Sequence, residues 1–375
     1  MKMLYLGKVD MENMTSGVTV KVKHQQNIFN NNNIQVDNLN YSNDSLWKKI
    51  NNRLPIFIDF YSLAISNHLK NINDYDVYYF RRFPITRHVI ENMNKIKKRN
   101  PSAVILVEIP TYPYDGEISG ISGKLLLFID KINRRKLHKY ANRILTYSKY
   151  DTIFSIPTIK LANGLIMEHI SPSNHCNVDN SDINVIAVAK MELWQGYDRM
   201  IQGLYEYYSR SSKNIKRNII LHLVGDGNEI KRYKKLVDDY NLSNSVIFYG
   251  KLYGDKLDDV YNKCSIAVSS LGKHRINVFY DSVLKDKEYA AKGLPIVSAV
   301  RTEFDDMVGY KYYKYFENND DPINIDEFIS FYDFIYVEDC LSVSKNIRNF
   351  AEMNFDMKHV LKPIIEYVKE NKGTN

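Results

Sequence analysis

Asp281, Lys285 and Glu288 recur at spacings of four and three residues within Tyr280-Asp281-Ser282-Val283-Leu284-Lys285-Asp286-Lys287-Glu288-Tyr289-Ala290-Ala291-Lys292-Gly293-Leu294-Pro295. On a helix that spacing puts all three on one face. A carboxylate there can accept two hydroxyl hydrogen bonds from a ribose, and an ammonium can sit against a phosphate. Asp281 or Ser282 suits the cap of such a helix, Gly293 its end, and Pro295 the opening of the strand beyond. The bland reading of the same residues is a solvated face with an ion pair. A second concentration is Glu108-Ile109-Pro110-Thr111-Tyr112-Pro113-Tyr114-Asp115-Gly116-Glu117. Its prolines and tyrosines make a stiff aromatic loop suited to stacking on a sugar face. Arg81 and Arg82 follow the apolar run Val77 to Phe80, and one or the other is expected to face a cleft. A packed aromatic loop with surface arginines is the alternative there.

Around these residues the chain resembles the retaining glycosyltransferases of GT-B fold (group 1, family 4-like), in particular a bacterial capsule and exopolysaccharide subgroup. The segment from Tyr280 to Val297 is similar to that family's donor-binding helix, Glu-x7-Glu followed by small residues and Gly-x-Pro. Glu288 matches the second Glu, which in the family holds the donor ribose. Tyr280 stands at the first, with Asp281 the nearest substitute. Val188-Ala189-Lys190-Met191-Glu192-Leu193-Trp194-Gln195-Gly196 resembles the segment whose two basic residues bind the donor pyrophosphate. Lys190 fits the first position, Gln195 occupies the second, and Arg275 is the candidate replacement cation. Leu223-Val224-Gly225-Asp226-Gly227 resembles a donor-domain loop, and Tyr249-Gly250-Lys251-Leu252 the stretch whose backbone meets the nucleotide base. Gly17 sits where relatives bring backbone N–H groups to the donor phosphate, an approach that favours a residue without Cβ.

The resemblance implies a metal-independent transfer of a sugar from a nucleotide-diphosphate sugar, most commonly a uridine-diphosphate sugar. The implied acceptor is a glycan or lipid-linked oligosaccharide in surface-polysaccharide or glycoconjugate synthesis. It makes Lys190, Glu288 and Glu108 the residues nearest the chemistry, Glu108 standing about where many retaining members carry a His. Donor contacts fall to Gly17, Lys190, Gln195, Gly225, Lys251, Leu252, Arg275, Asp281, Lys285 and Glu288. Acceptor contacts fall to Arg81, Thr111, Tyr112, Tyr114, Asp115 and Glu117. No cofactor and no metal is expected. Two rivals stand beside this reading: a non-catalytic glycosyltransferase-like subunit that binds glycan or steadies a catalytic partner, and a GT-B sugar-nucleotide epimerase.

Positioning these residues calls for alternating strands and helices. Short apolar runs separated by amphipathic stretches read as βα units with parallel sheets. Strands are expected at Met3–Leu6, Val77–Phe80, Ala103–Val107 and Arg143–Tyr147, and again at Ile183–Ala189, Ile219–Val224, Val246–Tyr249, Ile266–Ser269 and Pro295–Ala299. Helices are expected at 86–98, 124–140, 197–209, 229–240 and 357–372. The fold class is therefore α/β, two Rossmann-like domains facing each other across a cleft: residues 1–170, a linker 171–182, residues 183–356, and a last helix 357–375 crossing back.

At 375 residues, with 44% apolar and 25% charged, the chain is long enough for two cores. The first apolar run is too short for a signal peptide, and no stretch reaches the roughly 18 residues of a membrane span. The net charge of +7 would suit an anionic membrane surface, a phosphorylated substrate or nucleic acid, but the missing zinc-finger spacings and basic heptads argue against nucleic acid. Arg134, Arg135 and Lys136, at the end of the 124–140 helix, point to loose attachment at an anionic inner membrane face. Cys176, Cys264 and Cys340 are odd in number and scattered. They are expected to form neither disulfide nor metal cluster, which fits a reducing cytoplasm. Heavy use of Asn, Ile, Lys and Tyr fits an AT-rich bacterial genome.

Overall fold

The computed structural model describes residues 1–7, 17–39, 75–81, 84–115, 120–177, 182–210, 215 and 217–372. The chain divides into two compact units, Met1–Ala162 with Met357–Asn375, and Asn163–Asp356.

The first unit runs β1 (Lys2–Gly7), α1 (Gly17–Asn31), β2 (Gln35–Asn38), β3 (Val77–Arg81), α2 (Arg87–Arg99), β4 (Val104–Ile109), α3 (Gly120–Arg134), β5 (Arg143–Thr146), β6 (Thr152–Ile153) and β7 (Ile156–Lys160). Its sheet has the order β2-β1-β3-β4-β5-β7-β6 and is parallel except where β6 meets β7. Side chains alternate between faces along each strand. Leu4, Leu6, Tyr78 and Phe80 pack on one side with Val89 and Met93 of α2. Met3, Tyr5, Val77 and Tyr79 pack on the other with Val22 and Phe29 of α1. Both faces are covered, so the strands read as nearly unbroken apolar runs rather than as half-polar ones.

The helix expected over 124–140 begins earlier, at Gly120, and stops at Arg134. A 3-10 turn at Leu137–Lys139 follows. Arg134 donates to Asp115 at 2.7 Å and Asp130 at 3.2 Å, and its guanidinium lies over the Phe154 ring. One of the three cations expected to face a membrane is thus consumed inside the unit. Arg135 and Lys136 are exposed beyond the helix end.

The second unit runs β8 (Ile183–Val188), α4 (Tyr197–Tyr208), β9 (Ile219–Val224), α5 (Ile230–Asp239), β10 (Val246–Gly250), α6 (Asp255–Tyr261), β11 (Ile266–Val268), α7 (Leu284–Ala291), β12 (Ile296–Ser298), α8 (Glu303–Asp306), β13 (Tyr313–Tyr315), α9 (Ile325–Ile335) and α10 (Cys340–Phe355). Its sheet has the order β10-β9-β8-β11-β12-β13, parallel throughout. The order reverses between β8 and β11, and in such sheets ligands bind beyond the carboxyl ends of the strands near the reversal. The chain then returns to the first unit as α11 (Met357–Lys372). There Val360, Leu361, Ile364, Ile365 and Val368 form one apolar stripe against the α1 side of the core.

Residues 163–170, expected in the first domain, and 171–177 of the expected linker belong to the second unit. Ser173 is buried; its hydroxyl donates to the Tyr261 carbonyl at 2.9 Å and its N–H to the Lys292 carbonyl at 2.9 Å. Arg348 of α10 donates to the carbonyls of Ile170, Ala291 and Met167 at 2.7, 2.7 and 2.8 Å. The expectation for the cysteines is overturned: Cys176 and Cys340 form a disulfide across 164 residues, and His175 stands beside it with Nε2 3.5 Å from Cys176 Sγ. Only the tertiary fold brings them together, so scattered spacing was no evidence of thiols kept apart. Cys264 is free and buried.

Arg348→Met leaves three carbonyls without a charged donor and is expected to lower the stability of the second unit by about 3 kcal/mol. Urea denaturation measures this. An unchanged midpoint would show that these carbonyls are satisfied without Arg348.

Candidate functional site

A cavity of about 550 Å³ opens at the carboxyl ends of β8, β9 and β10, lined by Val188, Ala189 and Lys190, by Val224, Gly225, Asp226 and Gly227, and by Lys251, Leu252 and Tyr253. Its floor is backbone because two glycines permit it. Gly225 has φ +131°, and a Cβ there would stand 1.8 Å from the Ala189 carbonyl oxygen; at Gly227 it would stand 2.4 Å from that of Met191. The loops are stitched by Met191 N–H donating to the Asp226 carbonyl at 3.0 Å and Gly225 N–H to that of Gly250 at 2.7 Å. Lys190 extends into solvent, 76% exposed, with Glu192 as its ion-pair partner at 2.6 Å. Lys251 lies 4.0 Å from Asp226. Lys190, Gly225, Lys251 and Leu252, separated by up to 62 positions in the sequence, therefore line one cavity. Tyr253, 77% exposed on its wall, was missed. Its only signal is an aromatic residue between Gly250 and Gly254, both at positive φ.

Beside this wall runs α7. The hydroxyl of Tyr289 accepts from the Val188 N–H at 2.8 Å, which fixes the helix against a cavity residue. Glu288, the preceding residue, is half-buried, and burial raises its pKa against the lowering effect of Lys292. No described residue donates a hydrogen bond to its carboxylate, while Lys292 itself is paired with Asp258 at 2.7 Å. Lys285 is held differently. Its ammonium donates to Gln195 Oε1 at 2.7 Å and Tyr197 Oη at 3.0 Å, and burial pulls its pKa down. Gln195 Oε1 also accepts from Ser270 Oγ at 3.0 Å.

Two expectations around this helix are corrected. The helix begins at Leu284 with Val283 as its cap residue, so Asp281 is not on a face with Lys285 and Glu288. Asp281 instead pairs with Lys273 at 2.7 Å. The Ser282 hydroxyl is taken by the Asn163 N–H at 2.9 Å and by Lys287 at 3.3 Å, which removes it as a cap. Arg275 is no loose cation either. It donates to Asp198 at 2.9 and 2.8 Å, to Asp320 at 2.7 Å and to the Leu193 carbonyl at 3.1 Å.

In the first unit Glu108 is fully buried at the end of β4. It accepts from Tyr79 Oη at 2.9 Å and Tyr147 Oη at 3.1 Å, with the Arg81 guanidinium 3.7 Å away. It is a satisfied core carboxylate and meets no solvent. The aromatic loop packs largely upon itself: Tyr112 stands edge-on to Tyr114, Tyr150 and Phe154. Tyr114 is buried and donates to Asp130 at 2.8 Å, and Asp115 is held by Arg134 and Lys131. Thr111 is half-buried beside them. Gly17 opens α1. Glu117 and Arg82 lie outside the described residues.

Comparison with known proteins agrees with this architecture. Residues 176–319 match the family model described as Glycosyl transferases group 1. A sucrose-phosphate synthase from Thermosynechococcus elongatus superposes with a TM-score of 0.67 at 12% identity, covering 100% of both chains. The Anabaena protein HepE in complex with UDP gives 0.66 at 14% identity, over 99% of this chain and 100% of that one. At such identities the likeness shows the fold, GT-B with two Rossmann-like domains. An uncharacterized glycosyltransferase of Methanocaldococcus jannaschii is 27% identical over 165 residues, 40% of this chain and 40% of that relative's length.

Glu288 gives a pH-dependent expectation. Its folded pKa is raised, so its ionised form costs stability that is recovered as pH falls and the carboxyl takes its proton. Glu288→Gln is expected to raise the thermal midpoint of the ligand-free protein at pH 7. The gain should shrink on acidification. A gain that instead persists below the carboxyl range would assign it to packing.

Proposed function

We propose that this GT-B chain is a retaining, metal-independent glycosyltransferase whose second unit binds a uridine-diphosphate sugar. The observation that carries the reading is Glu288: a half-buried carboxylate to which no described residue donates, on a helix anchored to the wall of a glycine-floored cavity at the sheet's carboxyl end. Two ribose hydroxyls supply the missing donors. Lys190 at the cavity, with Lys251 across it, faces the diphosphate, and the exposed ring of Tyr253 stacks on the base. The UDP complex of the HepE structure supports this donor class.

Cleavage of the bond from sugar to diphosphate leaves growing negative charge on the phosphate oxygens. Lys190 stabilises that charge more in the transition state than in the ground state. The leaving phosphate takes the acceptor proton, so no side-chain base is required. The enclosure of Glu108 by Tyr79 and Tyr147 agrees with that. The acceptor, a glycan or lipid-linked oligosaccharide of surface-polysaccharide synthesis, belongs to the first unit near Thr111. Exposed Arg135 and Lys136 support loose attachment to an anionic inner membrane face, and no described helix is long and apolar enough to cross a membrane. A second reading, a non-catalytic subunit of the same fold, draws on Gln195 and Tyr280, neutral residues at positions expected to be charged.

Lys190→Ala is expected to lower turnover at least about a hundredfold, roughly 2.7 kcal/mol. Lys190→Arg should recover part of it, since the charge is kept in altered geometry. Unchanged turnover in Lys190→Ala removes the phosphate assignment, and wild-type protein that turns over no donor favours the non-catalytic reading. Activity is also expected to survive EDTA; loss on chelation with recovery on added Mn²⁺ would overturn the metal-free mechanism.

A further inference from the structure

His175, Cys176 and Cys340 lie outside the cavity and serve no step above. One ring nitrogen and the two sulfurs lie within 4.8 Å of one another. His175 Nε2 is 3.5 Å from Cys176 Sγ. That is about the length of a sulfur-to-nitrogen edge in a tetrahedron with Zn–S of about 2.3 Å and Zn–N of about 2.0 Å. His175 is 1% exposed, and its Nδ1 has no described hydrogen-bond partner. No described carboxylate pairs with it, so it is neither half of an ion pair nor a surface ring. Tyr336 Oη stands 3.4 Å from the same Nε2. Cys340 is the first residue of α10, after its capping Asp339, whose carboxylate accepts from the Leu341 and Ser342 N–H groups. Cys176 and Cys340 are both partly exposed, within reach of a reductant and an ion.

We propose that the dithiol form of this cluster is a binding site for a zinc-class divalent cation, held by His175 Nε2 and the thiolates of Cys176 and Cys340, with water as fourth ligand. The disulfide is its oxidised, metal-free form. Two equivalents of a small thiol open it: they are oxidised to their own disulfide, and the two cysteines gain two electrons and two protons. The cation then displaces those two protons while the imidazole gives a lone pair. The sulfurs separate to a tetrahedral edge of about 3.8 Å. Metal and disulfide join the same two pieces, the segment entering β8 and the start of α10, whose Arg348 already grips the carbonyls of Met167 and Ile170. The site does not depend on the donor reading.

The full chain, reduced with a phosphine and kept anaerobic, is titrated with Co²⁺ alone. Thiolate-to-cobalt charge-transfer absorption and tetrahedral d–d bands are expected to saturate at one equivalent and to vanish on adding Zn²⁺. Cys340→Ser should abolish the bands, and His175→Ala should weaken cobalt binding at least about tenfold. Cys264→Ser, in a thiol away from the cluster, should leave them unchanged. In the wild type, needing no variant, stoichiometric Zn²⁺ should shield Cys176 and Cys340 from alkylation as read by peptide mass. Reduced wild type that takes up no cobalt, or bands that survive Cys340→Ser, overturn the proposal.

Discussion

The carbonyl oxygen of Ala189 occupies the place where residue 225 would carry its Cβ. That single close approach sets the floor of the cavity. The loop after β9 can lie against the loop after β8 only because residue 225 is glycine at φ +131°, a conformation that side-chain-bearing residues rarely adopt. The same approach brings Asp226 to Met191 and Gly250 to Gly225 through backbone hydrogen bonds. Three consecutive strand ends thereby become one surface. Lys190 and Lys251, which follow different strands, then flank a common space.

Such a floor needs a rigid frame, and the second unit builds one from arginines on backbone carbonyls. Arg199 reaches the carbonyls of Leu271, Glu317 and Asp321, while Arg348 reaches Met167, Ile170 and Ala291. Carbonyls freed at loop turns have no strand partner, and a planar guanidinium satisfies several at once. Each arginine thus fixes loops that neither helix nor sheet can hold. Arg275 belongs with them: Asp198 and Asp320 hold it in the frame rather than leaving it to a ligand.

The strands were legible because both sheets are parallel and covered on both faces, which writes each strand as a compact apolar run. Val77–Arg81 and Ile219–Val224 fall where their sequences put them. Helix ends were less legible. The end of α3 and the start of α7 depend on competitors distant in sequence, Asp115 for Arg134 and Asn163 for Ser282. The Cys176–Cys340 pair, 164 residues apart, left no trace in local spacing at all. The cavity was half legible: its glycines and lysines stand in recognisable strand-to-turn segments, whereas Tyr253 acquires meaning only from its place on the wall.

Two glutamates show why residue type at a strand or helix end does not assign a role. Glu108 is fully buried and Glu288 half-buried, and either could be named for chemistry from sequence. Glu108 has its donors built in, the hydroxyls of Tyr79 and Tyr147, 29 and 39 residues away. A carboxylate so furnished has few lone pairs left for a ligand and belongs to the core. Glu288 is half-buried without such partners, and the Lys292 near it is already engaged by Asp258. Burying a carboxylate without donors costs free energy unless something later supplies them. On α7 that cost arises at Glu288, next to the residue that anchors the helix to the cavity wall, and in the function proposed above a pair of ligand hydroxyls offsets it.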